Sequence, residues 1–470
     1  VSVIYASSAT SPEVSVSNVK LDIPFNANTY AYYLDYTSAS AQNGTMVITL
    51  PAGSAATING TNYTNGEKVE LDPKKDFYCL TIKAEDQYTI TKYYFVTRYE
   101  NGTIPFSTVS DDTKALAKEL LGKWYTDLTA PGYTFGSYWN VFMAKATTGT
   151  SDQPAFDFDK KSVMHPAKHT MTQATDWAAC IMEIIMLGRN PYDFPRYENG
   201  VLNEHYNYVQ GLIDCGTGPF ANDVWYTFAA QAAGLKHPAS TENALNRTFD
   251  LDTRAWTIAA LSGELSTKEL VYYVDSLHDV QDTSGTYTSL WTNQSYHGAS
   301  SGNAYTIGCV LSAIASAGAD PDVQFAYGNH TPLQTIKETM YKDGLFYSNG
   351  SNDGVLPKDM IIGLGDVLHG SNVWDRYALT AEKYNTLIEK AKKLGVSVDG
   401  VPTEFVEADE NVSRAYFSLY QKVADELEKT GDTSMRPKVI WGMPYEVFAD
   451  EVNKMRAANA LTAENLADLE

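Results

Sequence analysis

The sequence has few cysteines, few positive charges and no long apolar run. Four cysteines in 470 residues follow the spacing of neither a metal site nor a disulfide framework, so we expect buried thiols. Lysine and arginine number 35 against 57 aspartates and glutamates, a formal net charge of −22. This charge argues against nucleic acids and anionic membrane surfaces as partners. The apolar segments are too short, and too often interrupted by Gly, Ser or Thr, for membrane insertion.

Residues 1–100 carry the pattern of β-strands. Short segments rich in β-branched and aromatic residues alternate with Asn-Gly pairs, which favour tight turns. The predicted strands cover 30–36, 46–50, 69–71, 77–83 and 92–97. Short strands at this spacing predict an all-β, antiparallel sandwich over 1–100, followed by a linker at 101–111.

From residue 112 the sequence favours helices that are apolar on nearly every side. Such helices must be covered all round, and their recurrence indicates a helical repeat array. Six of them are predicted to start near Ser137, Thr175, Asn222, Asp252, Asn303 and Lys358. Amphipathic segments at 266–280, 332–342 and 380–394 lie between them. An inner ring of buried, roughly parallel helices inside an outer ring predicts an all-α (α/α)6 toroid over 112–395, without strands. The outer ring is predicted to have a gap at 235–249. A helical extension at 396–470, with amphipathic helices at 411–429 and 444–460, completes the prediction.

Two segments carry a family resemblance. The run 248–261, and the run 302–333 followed by 343–346, resemble the prenyltransferase and squalene-oxidase repeat of the terpenoid cyclase and protein prenyltransferase superfamily. The nearest members are toroids of surface proteins from Gram-positive bacteria, distantly similar to cobalamin carriers. The runs 25–30, 55–60 and 93–98 resemble a cadherin-like β-sandwich module. The resemblance implies an extracellular protein at the cell surface of such a bacterium, with a sandwich that acts as a spacer or binds an adhesion partner.

The resemblance also suggests an acid catalyst. Class II terpene cyclases protonate an alkene with the middle Asp of an Asp-x-Asp-Asp motif, and Asp252 matches that position, although the fourth position is Thr253. Such an acid needs a dry cavity that raises its pKa. Asp176 and Asp252 could instead form the carboxylate pair of a glycoside hydrolase. The alternative is that Asp252 caps its helix. Asp214 and Cys215 have the wrong spacing for a zinc prenyltransferase, so we predict no metal and no cofactor.

Aromatic and polar residues are predicted to gather in a cup at the N-terminal ends of the inner helices. Rings with polar groups between them suit a sugar or a flat ligand, although the same rings could fill the core. The predicted ligand-binding residues are Trp139, Trp177, Asp223, Trp225, Trp256, Trp291, Tyr296, His297, Asn303, Tyr305 and Asp359.

Two functions follow as expectations. The first is a cell-surface protein whose cup binds a glycan, a corrinoid or an isoprenoid-like ligand without catalysis. The second is an enzyme, cyclase-like or glycan-cleaving, that uses Asp252 as its general acid. Hydrogen bonds from the N–H groups of Arg254 or Ala255 to the Asp252 carboxylate would remove that acid.

Overall fold

The structure, a computed structural model, has a sheet-rich N-terminal region followed by a mainly helical remainder. It describes residues 11–102, 108–149, 156, 158, 161–166, 171–198, 201–217, 221–239, 241–242, 245, 250–293, 302–348, 354–442, 452–458, 460 and 462. Within these residues, no helix combines the length and the apolar character needed to cross a membrane.

The strands concentrate in the first hundred residues. Those of the N-terminal region are β1 (Glu13–Ser17), β2 (Lys20–Leu21), β3 (Ala31–Tyr36), β4 (Gly44–Thr49), β5 (Ala55–Ile58), β6 (Thr61–Tyr63), β7 (Lys68–Leu71), β8 (Phe77–Lys83) and β9 (Ile90–Tyr99). Later strands are short: β10 (Thr134–Phe135), β11 (Lys161–Met164), β12 (Phe194–Glu198), β13 (Val201–Tyr206), β14 (Tyr341–Lys342), β15 (Leu345–Phe346) and β16 (Val439–Gly442).

Helices make up most of the chain after residue 110. They are α1 (Asp111–Leu120), α2 (Gly122–Thr129), α3 (Tyr138–Thr147), α4 (Ala174–Met186), α5 (Tyr208–Cys215), α6 (Ala221–Ala233), α7 (Leu251–Leu261), α8 (Thr267–Asp275), α9 (Ala304–Ser316), α10 (Pro321–Gln324), α11 (Pro332–Thr339), α12 (Lys358–His369), α13 (Val373–Tyr377), α14 (Ala381–Leu394) and α15 (Glu410–Glu428). A 3-10 turn, Ser276–Val280, follows α8.

The chain divides into two compact units. The sheet unit comprises 1–110, 264–280 and 317–320, and the helical unit comprises 111–263, 281–316 and 321–470. Two segments that the sequence places inside the toroid, 264–280 and 317–320, therefore group with the sheets.

The sheet unit contains two sheets around one core. One has the order β1-β4-β7 and the other β2-β3-β9-β8-β5-β6. Met46 and Ile48 of the first sheet pack with Leu34 and Phe95 of the second. The five predicted strands are confirmed, but the expectation of purely antiparallel pairing is wrong, because β3 and β9 run parallel.

The second face of the larger sheet is covered by α8. This helix packs against β3 and β9, and Val271 joins a buried cluster with Tyr33, Cys79 and Tyr94. The Tyr94 hydroxyl donates a hydrogen bond to Asp275 at the end of the helix. The apolar stripe predicted for 266–280 is thus used to cover the sheet.

Six helices of the helical unit contact one another in cyclic order. The order is α3, α4, α6, α7, α9 and α12, and α12 contacts α3 again. All six start within one residue of the predicted positions. The neighbouring helices α9 and α12 run in the same direction: Gly308 lies against Asp359, and further along both helices Ser312 donates a hydrogen bond of 2.5 Å to Asp366.

Burial differs between α7 and α14 as their sequences predict. In α7 every residue from Thr253 to Leu261 is buried, whereas α14 buries only Tyr384, Leu387 and Ala391. An apolar sequence on all sides requires such complete coverage, and a single apolar stripe requires only one neighbour. The predicted helix at 411–429 is also confirmed, as α15.

The expectation of a strand-free region at 112–395 is wrong. Six short strands, β10 to β15, lie between the helices. The strands β12 and β13 form an antiparallel hairpin, as do β14 and β15. Aromatic residues such as Tyr197, Tyr206 and Phe346 favour strands at these positions, but the short pairs lack the spacing by which a sandwich is recognised. The predicted gap in the outer ring at 235–249 and the predicted helix at 444–460 lie partly outside the described residues.

Candidate functional site

Several predicted site residues meet at the N-terminal ends of α3, α7 and α12. The Lys358 ammonium lies 3.5 Å from the ring centroid of Trp139, which is close enough for a cation–π interaction. Asp359 is buried, and burial raises its pKa to about 6, while Lys358 lowers it and the charge of Asp252 raises it further. Asp252 and Asp359, named here the acid pair, therefore form an interacting pair of carboxyl groups.

The helix cap at this end is Asp250 rather than Asp252. The Asp250 carboxylate accepts hydrogen bonds from the backbone N–H of Thr253 at 3.4 Å and from the Asn293 amide at 3.1 Å. Asp252 is the second residue of α7 and is half-buried. The interpretation of Asp252 as the cap is thus wrong, because the helix begins at Leu251, one residue before Asp252, and the preceding Asp250 is its cap.

The carboxylate of Asp176, the other predicted catalytic residue, already accepts hydrogen bonds at the start of α4. Its Oδ2 accepts hydrogen bonds from the backbone N–H groups of Thr172 at 2.9 Å and Gln173 at 3.0 Å. The Thr172 hydroxyl donates a third at 3.1 Å. A carboxylate that closes the first turn of a helix has few acceptor positions left for a substrate.

Most predicted aromatic residues lie in the interior. Trp225 and Trp256 are buried, and both contact Trp374, at centroid distances of 5.3 Å and 5.8 Å. Trp291 is fully buried beside Phe325. These rings pack against one another edge to face and leave little ring surface for stacking on a sugar.

The remaining predicted residues have varied surroundings. The Trp177 ring is covered by the Arg196 guanidinium, 4.6 Å from its centroid. Asp223 and Asn303 are buried, and Tyr305 is 40% exposed. Asn303 accepts a hydrogen bond of 3.0 Å from the backbone N–H of Tyr305. Tyr296 and His297 lie outside the described residues. At this end Trp139 and Tyr305 therefore present the most accessible rings among the predicted residues that the structure describes.

A pocket of about 200 Å³ lies at the C-terminal ends of α4 and α6. It is built from the ends of α4 and α6 and from α13, α14 and α15. Its lining residues are Ile185, Gly188, Arg189, Ala232, Arg376, Tyr377, Leu379, Lys383, Tyr416, Phe417 and Tyr420. The lining contains three cations and no acidic residue. We name it the cationic pocket.

The three cations are held in place by neighbouring oxygen atoms. Lys383 donates to the carbonyls of Arg376 at 2.7 Å and Ala378 at 2.6 Å. Arg376 donates from Nη2 to Asp366 at 3.2 Å. Arg189 donates from Nη2 to the Pro437 carbonyl at 3.1 Å. These bonds fix the positions of the charged groups before any ligand arrives.

Burial makes each of these charges costly. Desolvation lowers the pKa of Lys383 to about 8 and that of Arg189 to about 10. It also lowers the pKa of Arg376, against the effect of Asp366. A nearby negative charge would favour the charged forms of all three groups.

Tyrosine hydroxyls provide neutral groups at the same pocket. Tyr420 donates a hydrogen bond of 2.7 Å to the Met435 carbonyl, and burial raises its pKa to about 12. Burial also raises the pKa values of Tyr377 and Tyr416. All three are therefore neutral at physiological pH.

No sequence pattern predicts this pocket. Arg189, Arg376 and Lys383 are spread over almost two hundred residues and share no motif. Arg189 follows the end of α4 and Arg376 lies in the last turn of α13, where basic residues commonly interact with the last carbonyls. Lys383 lies in the first turn of α14. Only the cyclic arrangement of the helices brings them together.

The chain matches no family model, no curated protein and no solved structure. Within the described residues, no group of three or more His, Cys, Asp or Glu side chains is placed to hold a metal ion.

Proposed function

We propose that this chain binds a small ligand in the cationic pocket and catalyses no reaction there. The observation that carries the proposal is a concave site in which fixed cations and tyrosine hydroxyls face apolar side chains such as Phe417 and Leu379. A few convergent polar groups in an apolar cavity are the usual features of a ligand site. The pocket lining contains no carboxylate, imidazole or thiol that could act as an acid, base or nucleophile.

The size of the pocket selects among the expected ligands. Its volume of about 200 Å³ is below the ~300–1,000 Å³ of pockets that hold drug-sized molecules. A corrinoid or an isoprenoid chain would not be enclosed. A single sugar ring is the expected ligand that agrees best with this volume.

The proposal extends to the architecture and the location. The cyclic contacts of the six inner helices support an (α/α)6 toroid, although the short strands between them depart from the helix-only pattern. We propose a cadherin-like spacer or adhesion module for the sheet unit. The excess of negative charge suits an extracellular, cell-surface protein of a Gram-positive bacterium.

The two ends of the inner ring can be distinguished with a pair of Tyr→Phe variants. Tyr416→Phe removes a hydroxyl from the cationic pocket, and Tyr305→Phe removes an exposed one from the predicted cup. We expect Tyr416→Phe to weaken binding of a monosaccharide ligand about threefold to tenfold, the effect of one hydrogen bond, as measured by titration calorimetry. Tyr305→Phe should bind as the unmodified protein does. The reverse pattern would move the site to the cup.

The acid pair supports a second candidate function. Asp359 has a pKa of about 6 and interacts with a second carboxyl group. Enzymes use such pairs to give two carboxyl groups different pKa values, so that one of them can act as an acid. Here the group with the raised pKa is Asp359, so an enzyme would use Asp359 to donate the proton and Asp252 to support it. Turnover of an aryl glycoside or of squalene that is lost in Asp359→Asn would establish this function, whereas no turnover by the unmodified protein would exclude it for these substrates.

A further inference from the structure

We infer that the ligand of the cationic pocket is a small anion, a carboxylate or a phosphate carried on a sugar-sized ring. The inference rests on the proposed function and names the chemistry of its ligand. It starts from charge: three of the lining residues are Arg or Lys and none is Asp or Glu, in a chain with 57 acidic and 35 basic residues. A cavity that reverses the sign of the whole chain concentrates anions.

The cations retain hydrogen-bond donors that the protein does not use. Arg189 makes its hydrogen bond from Nη2, and its buried Nε has no partner among the described residues. Arg376 donates from Nε and twice from Nη2, so that Nη1 has no hydrogen bond in the described part of the chain. A guanidinium with unused donors matches the two oxygens of a carboxylate or the several oxygens of a phosphate.

Lys383 adds a third donor at a fixed position. Its ammonium has three N–H groups, and two of them point to the carbonyls of Arg376 and Ala378. The third N–H has no partner among the described residues. Because the two carbonyls hold the ammonium, a ligand would gain this hydrogen bond without ordering the side chain, which limits the entropy lost on binding.

The acids behind the pocket neutralise it only in part. Asp366 contacts Arg376 at 3.2 Å, and Asp375 accepts hydrogen bonds from Ser262 at 2.5 Å and Asn372 at 2.7 Å. Burial raises the pKa of Asp366 to about 7 and that of Asp375 to about 6. A fraction of Asp366 is therefore protonated near neutral pH, and Arg376 then lacks its counter-charge.

The rest of the lining favours a ring over an inorganic ion. The hydroxyls of Tyr377 and Tyr416 make no hydrogen bond to the described residues, and Phe417 and Leu379 supply apolar surface. An inorganic anion would use the cations but not these side chains. A ring that carries one anionic group and several hydroxyls uses all of them.

Three compounds with the same ring test the inference: glucuronate, glucose 6-phosphate and glucose. We expect titration calorimetry at pH 6.5 to show binding of at least one of the two anions, tenfold or more tighter than glucose. A preference between the two anions identifies the group as carboxylate or phosphate. Glucose that binds within threefold of both anions would overturn the inference and leave the proposed function intact. A complete absence of binding by all three would count against the proposed function as well.

Removal of one positive charge from the cationic pocket is the second test of the inference. Arg189→Met keeps an unbranched apolar side chain but removes the guanidinium, and it should weaken binding of the preferred anion about tenfold to a hundredfold, the effect of a hydrogen bond to a charged group. Lys393→Met is the matched control, because Lys393 is an exposed residue of α14 outside the pocket, and it should leave the affinity unchanged. Equal affinities of the two variants would contradict the inference.

A measurement on the unmodified protein covers the case in which Arg189→Met fails to fold. Affinity for the preferred anion should fall at least threefold between 20 mM and 500 mM NaCl, because salt screens the attraction. Anion binding that is independent of salt would overturn the inference.

Discussion

Individual buried charges determine how this protein should respond to pH. Lys383 is the clearest example, since burial lowers its pKa to about 8, opposed by Asp375 and Glu382. An anion beside it would raise that pKa again. Binding of an anion is therefore coupled to uptake of a proton at pH values above about 8.

The first prediction concerns this coupling. Well below pH 8 Lys383 is charged with or without the ligand, so affinity for the anion is fully present. As pH rises from about 8 towards the higher pKa of the complex, affinity should fall by up to tenfold per pH unit. Titration calorimetry between pH 6.5 and 9.5 measures the change, with Lys383→Met as the variant in which this decline should disappear. An affinity that rises with pH would contradict the prediction.

Glu183 gives the second prediction at this scale. This residue of α4 is fully buried, and desolvation raises its pKa well above 4.5. The unfolded chain releases the proton near pH 4.5 and the folded chain retains it, so stability falls as pH rises, by about 1.4 kcal/mol per pH unit. Glu183→Gln removes this loss.

We expect Glu183→Gln to gain stability relative to the unmodified protein as pH rises from 4.5 to 7, because only the glutamate releases a proton on unfolding over that range. Urea denaturation at the two pH values measures the difference. Glu407→Gln, an exposed control, should change stability by less than about 0.5 kcal/mol. A Glu183→Gln protein that loses stability at pH 7 would show that the ionised form is the folded one.

At the scale of elements, the backbones of α9 and α12 lie in close contact. A Cβ added at Gly308 would lie 2.2 Å from the backbone carbon of Asp359, and one added at Gly363 would lie 2.3 Å from the Gly308 carbonyl oxygen. Backbone atoms within a helix cannot move aside as a flexible side chain can. The two glycines therefore set the distance between these helices.

The third prediction follows from that contact. Gly308→Ala should destabilise the protein by about 1–3 kcal/mol, because overpacking outweighs the gain of about 1 kcal/mol in helix propensity. Gly122→Ala is the matched control, since Gly122 also lies in a helix but a Cβ there meets no atom within 4 Å. It should be neutral or stabilising in the same chemical denaturation experiment. Similar effects of the two substitutions would mean that the helices can separate at low cost.

The sequence predicts which segments form helices and strands better than it predicts which of these elements pack together. Helices such as α7 and α9 are predictable because runs such as 255–261 have no polar side that could be exposed to water. The helix α8 is also predictable, but its apolar stripe of Leu270, Val271 and Val274 indicates only that one side is covered. It does not identify the residues that cover it. The covering sheet residues, Tyr33 and Tyr94, are more than 170 residues away in the sequence.

The cationic pocket shows the same limit for the site. Its cations are distant in the sequence, and two of them, Arg189 and Arg376, have an ordinary local explanation at the C-terminal end of a helix. The sequence predicts Asp252 and Asp359 as site residues but does not predict that they interact. Their interaction depends on the packing of α7, α9 and α12. The sequence does not show whether Trp225 and Trp256 fill the core or line a site, because their burial depends on the folded structure.

At the scale of the whole molecule, the sheet unit is discontinuous in sequence. Residues 1–110 need 264–280 to complete the unit, because α8 covers the face that contains Tyr33, Cys79 and Tyr94. A fragment that ends at residue 110 lacks this cover. The boundary that the sequence suggests near residue 100 is therefore a poor place to divide the protein for experiments.

The fourth prediction uses Cys79 as a probe of that cover. In the whole chain Cys79 is buried and Cys215 is exposed, so iodoacetamide should label Cys215 readily and Cys79 slowly. In a fragment of residues 1–110, in which Cys79 is the single cysteine, labelling should be at least tenfold faster than for Cys79 in the whole chain. Mass spectrometry of timed samples measures both rates. Equal protection of Cys79 in the fragment would show that the sheets need no helix to cover them.

The late position of α8 also has a consequence during synthesis. A ribosome adds about 5–20 residues per second, so the ~170 residues between 110 and 280 require on the order of ten to thirty seconds. During that interval the nascent sheets have emerged without the segment that covers Tyr33 and Tyr94. Their apolar face is then available to chaperones, or to the same face of a neighbouring nascent chain on one messenger RNA. Production of this protein should therefore be limited by the order in which its segments appear rather than by the stability of its final state.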